Sequence, residues 1–213
     1  MDDWLLRFKK KQKYLVLDEE TESLSLTNAR PWQSTATICE GDNIIKEIDD
    51  YILWDDLDIS EGAKVITRWN EWDYKKRAIS PQKAWKNLEK YLYDPEYLII
   101  GSNLLNFDVY ILNTWRREMG LKSDYSFIPR IIDIQTIYKA YQKGVKDIPR
   151  DFQERIIFQY RYANLRERGL KSSVQHMCGA LGIPYDKENA HNALIDNRMC
   201  FEQWNKLKWM VDI

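Results

Sequence analysis

An α/β fold, a mixed sheet of antiparallel and parallel strands flanked by helices, is predicted by three observations. Two neighbouring stretches separated by a Gly-containing turn read as a β-hairpin. Three short apolar runs, each bounded by charge or turn residues, read as buried strands. Beyond the hairpin, strands alternate with helical patterns, the order expected of a sheet covered by helices. The 213 residues suit a single domain spanning 1–213 and can bury a sizeable core.

The elements follow in order. "YLVLD" (14–18) is apolar, short and ended by charge, hence a buried strand. "WQSTATICE" alternates and meets the turn "EGDN", and "IIKEIDDYILW" returns from it. Ser80 and Pro81 open a helix whose Trp85, Leu88, Tyr91 and Leu92 share a face. "YLIIGSN" (97–103) is a second buried strand, and "FDVYILNTWRREMG" a helix stopped by Gly120. "RIIDI" is a short third strand running into the helix "QTIYKAYQK". A long amphipathic helix is expected from Asp151 to about Arg168, within a helical insertion at about 143–169. "KSSVQHMCGALGI" is a helix capped at Ser172 or Ser173 and ended by Gly182, and "NAHNALIDNRMCFEQWNKLKWM" is the last helix.

Composition excludes several classes. Hydrophobic residues make up 44% and charged residues 31%, which rules out a disordered chain. A net charge of −1 leaves nucleic acid only local basic patches to bind. No apolar stretch approaches the ~20 residues of a membrane span, so no membrane is expected. "MDDWLLRFKKKQK" carries its basic residues after its apolar ones, the wrong order for a secretory signal. Cys39, Cys178 and Cys200 are odd in number without a CxxC, as for free thiols in a reducing cytoplasm, and the sequence leaves cellular and viral sources open.

The first strand ends in Asp18, Glu19, Glu20 and Glu22, and a packed core has no use for so much negative charge. Asp18 and Glu20 are two apart and project to one side of the strand. Asp108 follows the second buried strand, and His191 and Asp196 lie at the start of the last helix. Asp18-Glu19-Glu20-Thr21, then Asn103 with Phe107-Asp108, then His191-x-Ala193-x-x-Asp196 make three motifs in order. In this the chain resembles the DnaQ-like 3′–5′ exonucleases of the DEDDh subgroup, which have the ribonuclease H-like fold. The resemblance runs from about Lys13 to Trp209.

The resemblance implies two-metal-ion hydrolysis releasing 5′-mononucleotides from a 3′ end, with Mg²⁺ in both sites and Mn²⁺ able to substitute. It assigns Asp18, Glu20, Asp108 and Asp196 to the metals and His191 to the general base. It gives Thr21, Leu24, Asn103 and Phe107 to the terminal nucleotide. DNA is the expected substrate, and a replicative polymerase or another replication protein an expected partner. An exoribonuclease of the oligoribonuclease or ribonuclease T type, and a non-catalytic ribonuclease H-like binding module, are the alternatives. Carboxylate-held divalent cations suit the chemistry, because they neutralise phosphate charge and activate water.

Other residues read as structural. Asp133 is expected to cap a helix or anchor a loop, His176 to be structural or solvated, and Glu19 and Glu22 to face away or into solvent. Trp85, Trp115, Trp204 and Trp209 read as core. Trp69 and Trp72 are expected in a loop beside Lys75, Lys76 and Arg77, and Lys9–Lys13 as solvated charge.

Overall fold

Consecutive apolar residues suit a strand covered on both faces. In the computed structural model, which describes residues 11–67, 69–185 and 192–213, the first apolar run is β1 (Lys13–Thr21), the middle strand of five. The hairpin β2 (Pro31–Glu40) and β3 (Asn43–Tyr51) lies on one side of it, with β1 and β2 antiparallel and Asp18 opposite Thr35. On the other side β4 (Tyr97–Gly101) and then β5 (Ile131–Asp133) run parallel to it. The order β3-β2-β1-β4-β5 is the expected mixed sheet of a ribonuclease H-like fold.

Helices cover both faces of the sheet: α1 (Glu61–Ile66), α2 (Glu71–Arg77), α3 (Pro81–Leu92), α4 (Asp108–Glu118), α5 (Ile134–Gln142), α6 (Phe152–Ala163), α7 (Val174–Leu181) and α8 (Ala193–Leu207). Alternation along β1 sends its residues into two separate apolar layers. Leu15 and Leu17 pack with Trp85 and Leu88 of α3 and Leu112 and Trp115 of α4. Tyr14 and Val16 pack with Ile137 of α5 and Phe201 and Trp204 of α8. Continuing the count, Asp18 and Glu20 fall on the α8 face, and Glu19 and Thr21 on the α4 face.

Several expectations need correction. The helix expected over 151–168 ends at Ala163, where Nδ2 of Asn106 (3.1 Å) and Nζ of Lys139 (2.8 Å) both donate to the Ala163 carbonyl. Those bonds satisfy a helix-end acceptor with side chains and release the chain into an extended segment. The loop expected around Trp69 and Trp72 contains α2, capped by Asn70, whose side chain accepts from the Asp73 N–H. Trp69 packs edge-on against Trp32 with ring centroids 4.8 Å apart, whereas Trp72 is exposed. Trp209 is 63% exposed rather than core, because α8 stops at Leu207 and it is Val211 and Ile213 that the chain beyond it buries in the apolar layer. Trp85, Trp115 and Trp204 are buried as expected, and the three cysteines are free and buried. Among the described residues no helix is long and apolar enough to cross a membrane.

One glycine is required by a close approach. A Cβ on Gly101 would sit 2.7 Å from the Leu104 side chain and 2.8 Å from the Leu17 carbonyl oxygen. The backbone of β1 cannot yield without shifting Asp18. Gly101→Ala is therefore expected to cost about 1–3 kcal/mol of stability, the range for overpacking a core. Chemical denaturation checks this, and a variant as stable as the parent would show that the contact is soft.

Candidate active site

β1 is longer than its parallel neighbour. Its pairing with β4 ends at Val16–Ile100, while its pairing with β2 continues to Thr21. Beyond Val16 the edge of β1 facing β4 has backbone groups with no strand to bond. Asp108, the first residue of α4, takes that place, with its Oδ1 accepting from the Glu19 N–H at 3.1 Å. A single backbone bond thus ties the second motif to the first, and Asp108 is buried by it.

The loop that delivers Asp108 is also fixed. Asn103 takes a left-handed conformation (φ 70°), the only non-glycine with positive φ among the described residues. Asparagine tolerates this conformation better than most residues. Its N–H and that of Leu105 donate to Oδ1 and Oδ2 of Asp133, both at 3.1 Å. Asp133 is also the cap of α5, accepting from the N–H groups of Gln135 and Thr136. It therefore both caps a helix and anchors a loop, as anticipated.

On the other face, α8 brings Asp196 in its first turn toward Asp18 and Glu20. Asn192 caps this helix by accepting from the Ile195 N–H at 3.3 Å. The helix is pinned to the sheet by Nδ2 of Asn197, which donates to Oγ1 of Thr35 (3.1 Å), while that hydroxyl donates to the Asp18 carbonyl (3.1 Å). Asp18, Glu20 and Asp196 line one cleft of about 350 Å³, with Ser102, Tyr185 and the start of α7 around it.

The carboxyls repel one another in this setting. Burial, and then the charge of Asp196, push Asp18 up to about 7. Burial, followed by Asp18 and Asp196, pushes Glu20 up to about 8. Asp108 is held well above the usual carboxylate range by burial and by Asp18, despite the Glu19 N–H. Neither the Asp18 nor the Glu20 carboxylate has a hydrogen-bond or ion-pair partner among the described residues. Among those residues no three His, Cys, Asp or Glu side chains are already gathered as a metal cluster. The donor set nevertheless fits a hard divalent cation. It is all carboxylate oxygen, with Asp18, Glu20 and Asp196 gathered on one cleft and no cationic side chain against Asp18 or Glu20 among the described residues.

A second, more apolar pocket of about 210 Å³ adjoins the first, and Glu20 belongs to both. Thr21, Leu24 and Phe107, three of the four residues expected at the terminal nucleotide, line it together with Ala63 and Ile66 of α1. Leu24 is 85% exposed, an apolar side chain offered to the pocket mouth. The Thr21 hydroxyl donates to the Ser23 carbonyl at 2.7 Å and shapes the turn below it. Asn103, the fourth, is absent from the lining of both pockets and serves the loop instead. His191 lies outside the described residues.

Two acids lie away from the acidic cleft, as expected, but neither is solvated. Glu19 does not face solvent: it is buried, Oε1 accepts from Oγ of Ser34 at 2.8 Å, and Oε2 has no partner. Burial holds its carboxyl well above the usual range. Glu22 is likewise buried, paired side-on with Arg30 through Nε–Oε1 and Nη2–Oε2 contacts of 3.0 Å each. Central position explains Glu19, since β1 has no solvent face for alternation to reveal. Thr35 and Asn197, which position Asp18 and α8, carry no motif that a sequence reading could detect.

No protein-family model matches the chain, and no curated protein matches its sequence. Solved structures do match its fold. Exonuclease I, in a structure described as suggesting how processivity is achieved, aligns with a TM-score of 0.73 at 19% identity, covering 93% of this chain and 41% of that one. A zinc-bound E. coli exonuclease I–single-stranded DNA complex gives the same figures. A product-bound exonuclease I gives a TM-score of 0.70 at 16% identity over 93% of this chain and 44% of that one. The chain thus spans less than half the length of the exonuclease I structures it resembles.

Proposed function

We propose that this chain is a metal-dependent 3′–5′ exonuclease that releases 5′-mononucleotides from DNA. The observation that carries this reading is the meeting of Asp18 and Glu20 from the central strand with Asp196 from α8 in one cleft, with Asp108 tied to the same strand. Support comes from the fold shared with exonuclease I, a protein solved in complex with a dT13 oligonucleotide. Asp18, Glu20, Asp108 and Asp196 are the residues that would hold two divalent cations, Mg²⁺ or Mn²⁺. Bound there, such ions neutralise phosphate charge and make water more acidic.

The chain's own groups divide the remaining work. The pocket of Thr21, Leu24 and Phe107 seats the terminal nucleoside, and Glu20 stands between that pocket and the cleft where the phosphate lies. His191 accepts the proton of the attacking water at a ring nitrogen, the role histidine most often takes in general base catalysis. The nucleoside pocket fixes which phosphodiester reaches the acids, so one nucleotide is removed at a time.

The test is degradation of end-labelled single-stranded DNA, duplex DNA and RNA, side by side, with Mg²⁺, Mn²⁺ or excess EDTA. Stepwise shortening of single-stranded DNA from its 3′ end, stopped by EDTA, is expected. Undiminished degradation in EDTA, or none of any substrate with metal, would overturn the reading. Faster loss of RNA would favour the exoribonuclease alternative.

A further inference from the structure

The 143–171 segment carries eight Lys and Arg against four Asp and Glu, in a chain whose net charge is −1. Its second half follows a definite path. The end of α6 is fixed beside the loop that delivers Asp108, through the Asn106 side chain on the Ala163 carbonyl. The segment then runs without regular structure to α7, where Ser173 and Val174 line the acidic cleft. Near its far end it is fastened by Gln142, whose Nε2 donates to the Lys171 carbonyl at 2.6 Å. Both ends of this stretch therefore border the candidate active site, and the stretch forms a rim beside it.

The chemistry of the rim is uniform. Arg166, Arg168 and Lys171 are exposed, and none has an ion-pair partner among the described residues. The one acid among them, Glu167, is occupied by Lys143 at 2.7 Å. Where the rim begins, Tyr160 of α6 and Tyr110 of α4 are near enough to interact electrostatically, both about two-fifths exposed. Core packing does not call for two half-exposed tyrosines where an exposed basic stretch begins. Single-stranded nucleic acid does, with bases stacking on aromatic rings and phosphates tracking a basic groove.

We infer that this rim, from Tyr110 and Tyr160 through Arg166 and Arg168 to Lys171, holds the part of a single strand that has not yet been cut. The inference rests on the proposed nuclease function for its substrate, but its binding readout does not require catalysis. The rim gives the 143–171 segment a role, and it supplies the positive charge that the acidic cleft cannot offer to a polyanion.

Binding of fluorescein-labelled dT16 in EDTA, followed by anisotropy over a range of salt, is the first arm, comparing the parent chain with the R166S/R168S/K171S triple variant and with Tyr160→Leu. Affinity is expected to fall about 10-fold or more in the triple variant, and its salt slope by about 2, the share of three single-strand phosphate contacts. The second arm is hydrolysis with Mg²⁺. KM for dT16 is expected to rise at unchanged kcat, while cleavage of the dinucleotide d(TpT), too short to reach the rim, stays as in the parent. Equal affinity and slope in parent and triple variant would overturn the inference, as would an equal loss on d(TpT) and dT16. Rim-dependent binding by a parent that hydrolyses nothing would sink the nuclease reading and leave the rim standing. Melting curves check that these exposed substitutions leave the fold intact.

Discussion

Asp18→Asn is expected to abolish hydrolysis and yet melt at a higher temperature than the parent when both lack metal. Replacing a carboxylate by its amide changes almost no volume, so packing against α8 persists. What changes is charge. Asp18 shares its cleft with Glu20 and Asp196; burial first, then the charge of Asp196 on Asp18 and the charges of Asp18 and Asp196 on Glu20, hold the Asp18 and Glu20 carboxyls above their usual range. The sign follows from linkage. Unfolded, the Asp18 and Glu20 carboxyls titrate at about 4; folded, Asp18 is pushed up to about 7 and Glu20 to about 8. Groups with raised folded values bind protons more tightly in the native state, so their stabilisation is complete below about pH 4 and is lost as pH rises through 7 and 8. Metal-free parent should therefore be less stable at pH 9 than at pH 6, and Asp18→Asn should flatten that slope.

At pH 8 the amide variant should gain about 3–8 °C, given about 2–4 °C per kcal/mol for a chain of this size. Mg²⁺ or Mn²⁺ should reverse the ranking, stabilising the parent by mass action and the variant much less. Activity should fall by at least about 10²–10³-fold, matching the several kcal/mol of transition-state stabilisation attributed to a bound metal. Thermal melts with and without metal are the measurement. A variant that melts lower than the parent without metal would make Asp18 a structural acid, and the nuclease reading would lose its central residue.

The sequence made the faces of β1 partly legible. Alternation places Asp18 and Glu20 together, and the motif order brings Asp196 and Asp108 to the same end of the sheet. It could not show that Glu19, on the opposite face, would be buried too, because a middle strand presents no solvent side. The pairing of Glu22 with Arg30 was invisible for a similar reason: the partner lies across a turn whose shape depends on the fold. Thr35 and Asn197 connect β2 and α8 to Asp18 over 162 positions of sequence, a distance at which no periodicity reports. Helix ends were misread where tertiary bonds set them, as at Ala163, whereas Ser80, Ser173 and Gly182 act locally and were readable. Asp133 was recognised as a cap or an anchor, but the number of groups it holds was not.

That number makes Asp133 the next largest expected effect. Its buried carboxylate accepts four backbone N–H groups: Asn103, Gln135 and Thr136 at Oδ1 and Leu105 at Oδ2. Asp133→Ala leaves all four N–H groups without their acceptor at once, and those of Leu105 and Thr136 lie where water cannot replace it. With about 1–3 kcal/mol for each buried donor left unsatisfied, a loss of about 3–5 kcal/mol is expected. Asp133→Asn separates the two sides of the site. Its remaining oxygen can still serve Asn103 and the start of α5, while its amide group meets the Leu105 N–H donor to donor. About half the stability loss is expected, together with faster hydrogen exchange at Leu105 but not at Thr136. Because the 103–107 loop delivers Asp108 to the edge of β1, kcat should also fall, by about 10-fold, the lower end of the range for residues that orient metal ligands. Denaturant titration, amide exchange and single-turnover rates on the two variants provide the check. If Ala and Asn cost the same, or if Leu105 exchanges as in the parent, then Asp133 only caps α5 and the loop holds Asp108 by other means.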